Sequence, residues 1–507
     1  MKVRNPIFWA DVPDVDPIRV GDTFYMVSTS MHMMPGCPIM KSNDLNNWEI
    51  VNYVFDKLED NDNHNLIDGK NIYGQGCWAA SLKEHNSMFY VCFSANDMQR
   101  FYVYRTEDIE NGQWQRTVIE GLFHDPALLF DEDRVFVIYG NGEIYIAELT
   151  PDASMLKPNG IHQLLFETDK EGIGLRCEGC HAYKIKDYYY LLFIDWPING
   201  MRRAWCYRST NLLGPYEKKV ILYDQMGYKS HGVAQGGLFD APDGKWYAVM
   251  FQDRDAVGRV PIAMPVHWID DWPMLGIDGK APEQFEVSLP VTPTSSIVQS
   301  DDFNYSANQL QLNWQWNHNP DNQLWSVTAR QGHLRLTTGS LVHSVLQARN
   351  TLTQRTEGPA CLGKTYMDTS NMKPGDFAGL VALQNWFGAV GVKLDKYGQR
   401  RVAMCLNDGT GLEREVEGIK LEGLSIYLKI VFNFEESRDQ AQFFYSVDGN
   451  QWNVIGETLN MKYTLDHFMG YRIGLFNYAT EEIGGYVDFD YFKYAKKVDG
   501  EFKEIYE

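Results

Sequence analysis

The stretch KDYYYLLFID, residues 186–195, decides the fold. A polar turn leads straight into an aromatic-rich apolar run, the signature of a buried β-strand. Four other stretches repeat the design: GDTFYMVSTS (21–30), EHNSMFYVCFS (84–94), DEDRVFVIYG (131–140) and PDGKWYAVMFQD (242–253). With Tyr25, Tyr90, Phe136, Tyr189 and Tyr247 as markers, the unit recurs every 46 to 65 residues. Each run is followed by a second strand-like piece, such as FYVYRTEDIENGQW (101–114) or VPIAMPVHWIDDW (260–272). Short strands in a repeat, with no long helical pattern, predict the blades of a β-propeller, five in number.

The repeat also points to a site. Ten residues before the runs, counted from Phe24, Met88, Val135, Tyr188 and Lys245, stand Asp14, Trp78, Asp125, Glu178 and Gln235, the last four residues after His231. The innermost strand of a propeller blade precedes its central strands and lines the channel, so one register in different blades points at one axis. Asp14, Asp125 and Glu178 are therefore expected in one pocket, with Trp78 and His231 beside them. Each has a local reading as well. Asp14 suits a turn, Asp125 suits a cap before Pro126, Trp78 suits a core, and His231 suits a satisfied polar residue, since no second histidine lies at ligand spacing.

Composition bounds the partners. The 507 residues, 44% hydrophobic, suffice for two or more domains with sizeable cores. A formal charge of -21 disfavours nucleic acid, whose binders need a basic stripe, and anionic membrane surfaces. No apolar run approaches the roughly 18 residues of a spanning helix. MKVRNPIFWADVPD (1–14) lacks the apolar stretch and cleavage site of a secretory signal, so a soluble, cytoplasmic protein is expected. Eight scattered cysteines read as buried free thiols in a reducing compartment. The 14 Trp, 29 Tyr and 26 Phe fill cores, but Trp and Tyr faces also pack on sugars.

Cys177, Cys180 and His181 in RCEGCHAY (176–183) spell a haem-attachment pattern, with Glu178 between the cysteines. The segment precedes a strand in an all-β repeat, a poor context for attached haem, and a single cysteine pair is half of a zinc site. No haem and no nucleotide is expected. Glu178 is the residue of interest.

These motifs resemble glycoside hydrolase family 43, whose members remove xylose or arabinofuranose from plant polysaccharides on a five-bladed propeller. PDVDPIRVGDTFYMVSTS (13–30) resembles the family's opening segment and implies Asp14 as general base. HDPALLFDEDRVFVIYG (124–140) implies Asp125 as the acid that tunes the proton donor and orients substrate, and EGCHAYKIKDYYYLLF (178–193) implies Glu178 as general acid. GQGCWAASL (74–82) implies that Trp78 lines the sugar site, and GRVPIAMPVHWIDDWP (258–273) implies a sugar contact for Arg259. The resemblance also implies that His231 faces a cation, calcium, or a water in the channel. Cys180 stands for a usual Pro, Val260 for an acidic residue, and Met31 for a common Phe of xylosidases.

Beyond the propeller at 1–290, SLPVTPTSSIVQS (288–300) contains the linker, placed at 291–300. Residues 301–507 alternate as strands, for example SIYLKIVFNF (425–434) and GYVDFDYFKY (485–494), and predict an antiparallel β-sandwich. LNWQWNHNPDNQLWSV (312–327) and YRIGLFNYAT (471–480) resemble the family's concanavalin-like domain, which implies support of the pocket rather than separate glycan binding. The function so implied is an exo-acting inverting β-xylosidase on xylo-oligosaccharides, with secondary α-L-arabinofuranosidase activity. An arabinofuranosidase is the alternative, and a non-catalytic glycan-binding protein is the alternative of another class. A homo-oligomer is left open.

Overall fold

The computed structural model describes residues 1–409, 413–498 and 500–504. Five four-stranded antiparallel sheets occupy the first half of the chain. Their inner strands are Asp16–Val20, Ser81–His85, Ala127–Asp131, Ile173–Ile185 and Ala234–Asp240, one for each of blades I to V. The five aromatic runs are the second strands, buried between neighbouring blades, which is why they carry almost no polar residues. The outer strands, such as Gln115–Glu120 and His162–Glu167, escape a sequence reading because most of their side chains are exposed or only half-buried.

Polar contacts join the blades near the axis. The buried Asp16 accepts from the backbone N–H of Leu82 at 2.8 Å, joining blade I to blade II. Ser94 donates to the carbonyl of Phe123 at 2.7 Å, and Leu238 donates its N–H to the Tyr183 hydroxyl at 2.8 Å. The ring is further tied by Lys2–Arg4, which pairs antiparallel with Gln284–Glu286.

The second half forms two large antiparallel sheets packed face to face. In Ser425–Asn433 the alternation is strict: Ile426, Leu428, Ile430 and Phe432 are buried and the residues between them are half-buried. Asp376–Leu383, in the opposing sheet, is buried at every position. Its sheet also meets the propeller, where Met31 and Met33 of blade I pack with Phe377, Val381, Leu383 and Phe387. The two domains even share a sheet, because Met33–Met34 pairs with Gln315–Asn317 of the sandwich.

The connecting segment is pinned down. Thr292 donates its N–H and its hydroxyl to Asp44 of blade I at 3.1 and 2.6 Å, and Ile297 and Val298 are buried. All eight cysteines are buried and free, as the sequence suggested.

The seam has no slack at Gly470, where a Cβ would lie 2.1 Å from the backbone oxygen of Val257 in blade V. Gly470→Ala is therefore expected to destabilise by about 1–3 kcal/mol, the usual range for overpacking. Chemical denaturation measures it. Wild-type stability would mean that the sandwich loop does not press on blade V.

Candidate active site

The register deduced from the repeat is a shared backbone turn. Asp14, Asp125 and Gln235 have φ of 51°, 45° and 62°, a left-handed conformation that Asp tolerates better than most residues. In blade IV the turn falls one residue later, on Gly179 with φ 71°. A Cβ there would lie 2.7 Å from the Gln235 side chain, so glycine is required. The pairing of inner strand IV slips on both sides of Glu178, a bulge of the kind that re-aims a side chain.

Asp14 is buried against Arg259, whose Nη1 reaches its two carboxylate oxygens at 3.1 and 3.0 Å. Burial pushes the Asp14 carboxyl up to about 6 even though the guanidinium pulls the other way, with Asp125, Asp11 and Asp253 adding repulsion. Arg259 is itself held from behind. Its backbone N–H donates to Asp11 at 2.7 Å, and its Nη2 donates to the carbonyl of Phe468 at 3.2 Å. The Phe468 ring lies 4.6 Å from the guanidinium, so a sandwich residue forms part of the site.

Glu178 is held differently. His124 Nε2 lies 2.9 Å from its Oε2, and Asn141 donates to the same oxygen at 2.6 Å. His124 is pushed up to about 9, by the charge of Asp125 first and by the bond to Glu178, against its burial. Asp125 accepts from the backbone N–H of Gly179 at 2.9 Å. Burial raises its carboxyl most, the charge of Glu178 adds to this, and His124 opposes it. Asp125 raises Asp14 in turn, so Asp125 lies within electrostatic reach of both other carboxyl groups.

Trp78 stands half-buried between the domains. Its indole N–H donates to Gly74 at 3.1 Å, and its ring is 5.9 Å from His124 and 5.6 Å from Phe468. The structure thus brings Asp14, Asp125, Glu178, Trp78 and Arg259 together. His231 stands apart. Its Nδ1 faces the carbonyl of Asp253 at 3.1 Å, its ring abuts Trp196 and Tyr228, and the Asp253 carboxylate is taken by Arg202 at 2.5 Å. Among the described residues the donor atoms of His124, Asp125 and Glu178, within 4.8 Å of each other, are the ones close enough to share a metal ion.

Sequence reasoning missed His124, Asn141, Asp11 and Phe468. His124 was visible beside Asp125 in the HDP triplet. Phe468 had no signal, being 209 residues from its partner Arg259 and in another domain.

Two family profiles cover most of the chain: Glycosyl hydrolases family 43 matches residues 3–273, and the Beta xylosidase C-terminal Concanavalin A-like domain matches 300–495. The chain belongs to glycosyl hydrolase family 43. A beta-xylosidase of Formosa agariphila is 30% identical over 97% of this chain and 90% of its own length. A non-reducing end alpha-L-arabinofuranosidase of Bacteroides ovatus is 28% identical over 66% of this chain and 64% of its own. Among solved structures, a bifunctional GH43-CE protein of Bacteroides eggerthii has a TM-score of 0.93 at 46% identity and covers 98% of this chain. The chain spans 64% of that longer protein.

Glycosidic bond cleavage uses one protonated and one ionised carboxyl, and this family 43 hydrolase holds its two in unlike surroundings. With Asp14 as the base, activity needs its ionised form, so kcat/KM should fall as pH drops through about 6. In Arg259→Met the carboxyl loses the charge that pulls it down, and the acid limb should move to higher pH. A limb that stays in place or moves down would remove Asp14 from that role.

Proposed function

We propose that this hydrolase is an exo-acting, inverting β-xylosidase that releases xylose from xylo-oligosaccharides and has secondary α-L-arabinofuranosidase activity. The observation that carries the reading is the separate holding of the two carboxyls: Asp14 on Arg259, Glu178 on His124 and Asn141. Glu178 protonates the departing glycosidic oxygen. Asp14 takes a proton from a water that attacks the anomeric carbon from the opposite face, so the configuration inverts. Arg259 keeps Asp14 aimed and balances its charge. Trp78 and Phe468, one from each domain, confine the sugar, which favours a chain end over the middle of a polymer.

Terminal xylopyranose and arabinofuranose present similar hydroxyls, which supports the secondary activity. The alternative, an arabinofuranosidase first, draws on Met31, which packs with Trp78 and Phe468 where xylosidases commonly place Phe. Cytoplasmic hydrolysis of short imported oligosaccharides belongs to the same proposal, because a site built for chain ends suits soluble substrates.

Calcium enters no step of this reading. The ion takes six to eight oxygens, whereas His231 offers a nitrogen next to a carboxylate already paired with Arg202. Enzyme stripped with a chelator is expected to keep its kcat/KM, and a loss reversed by added calcium would contradict this.

Rates on nitrophenyl β-xyloside and nitrophenyl α-L-arabinofuranoside test the proposal. The xyloside should react faster, and Asp14→Asn and Glu178→Gln should each lose about 10²–10⁴-fold, the usual share of acid–base catalysis. Preference for the arabinoside would promote the alternative. Turnover of neither, with glycan binding intact in both variants, would leave a binding protein.

A further inference from the structure

We infer that His124 and Asn141 are a positioning pair for the proton donor: they occupy one oxygen of Glu178 so that the other, Oε1, delivers the proton. The inference rests on Glu178 being the general acid.

A carboxylic acid has two oxygens, and only the one facing the glycosidic bond is useful to protonate. Here Oε2 is claimed twice, by His124 Nε2 at 2.9 Å and by the Asn141 amide at 2.6 Å. An amide nitrogen is only a donor, so a proton on Oε2 would point into the Asn141 N–H 2.6 Å away, with the His124 ring nitrogen crowding the same oxygen. The proton therefore sits on Oε1, to which none of the described residues hydrogen-bonds, while the side chain keeps 18% of its surface open.

The same pair acts during bond breaking. The Oε1 proton passes to the glycosidic oxygen, the C–O bond breaks with its electrons going to that oxygen, and Glu178 is left as a carboxylate. The charge that develops is shared with Oε2, where two donors already stand, so no group has to reorganise. Asp125 does not do this itself: its carboxylate accepts the Gly179 N–H, and it reaches Glu178 through His124, 3.7 Å from its carboxylate. His124 is held in turn by Asp125 and by the edge of Trp78.

The test compares substrates that need the acid with one that does not, in the full-length protein. His124→Phe removes the donor, His124→Gln keeps an N–H near the Nε2 position, and Glu178→Ala serves as reference. His124→Phe should lose about 10–100-fold in kcat/KM on xylobiose, part of what a general acid supplies. It should lose little on dinitrophenyl β-xyloside, whose leaving group departs unprotonated. His124→Gln should recover most of the loss. An equal loss on both substrates, or none on either, overturns the inference, and if His124→Phe does not fold, Asn141→Leu, which removes the other donor to Oε2, is read in the same way. Glu178→Ala separates the two levels. If it shows the leaving-group pattern and the His124 variants do not, only the positioning pair falls; if it shows no such pattern, the assignment of Glu178 falls with it.

Discussion

The carboxylate of Asp11 bridges the two domains, and the site depends on that bridge. One oxygen accepts the N–H of Arg259 at 2.7 Å and the other accepts the N–H of Gly470 at 2.9 Å, while the backbone oxygen of Asp11 accepts from Arg355 at 2.9 Å. Asp11 is buried, so each N–H it satisfies would otherwise cost about 1–3 kcal/mol. Through Arg259 this anchor sets the aim of Asp14, and through Gly470 it seats the loop that carries Phe468. The sandwich is thus a wall of the pocket, not an appendage, and the shared strand at Met33–Met34 makes the same point in the backbone.

The site sorts its charges by environment. Asp14 is dry and raised, yet held by a permanent cation; Glu178 is partly open and held by two nitrogen donors; Asp125 is buried and bonded to a backbone N–H. Unlike surroundings are what let like side chains take unlike roles at one pH. The net charge of -21 has no part in this. What matters is the pairing of three clustered carboxyls with Arg259 and His124.

How much of this could be read in advance follows from the kind of signal each feature leaves. The second strands of the blades are buried on both faces, and seven apolar residues in a row at 188–194 show it directly. The register of Asp14, Asp125 and Glu178 was legible because a repeat turns equal spacing into equal position. Outer strands were not, since half-exposed residues leave no clear pattern. His124 was overlooked as the neighbour of a more familiar carboxylate. Phe468 and Asp11 reach Arg259 through long-range packing that leaves no local trace, and His231, placed beside the pocket by the repeat and the resemblance, turns its Nδ1 to a backbone carbonyl.

The central claim is that Asp14 and Glu178 act from opposite faces of the sugar, with water between base and anomeric carbon. Proton NMR during hydrolysis of a β-xyloside reads this directly, before the product mutarotates. Xylose that first appears as the α anomer is the result this account predicts. First appearance of the β anomer would mean a retaining reaction, and the roles given to Asp14 and its ion pair with Arg259 would be wrong.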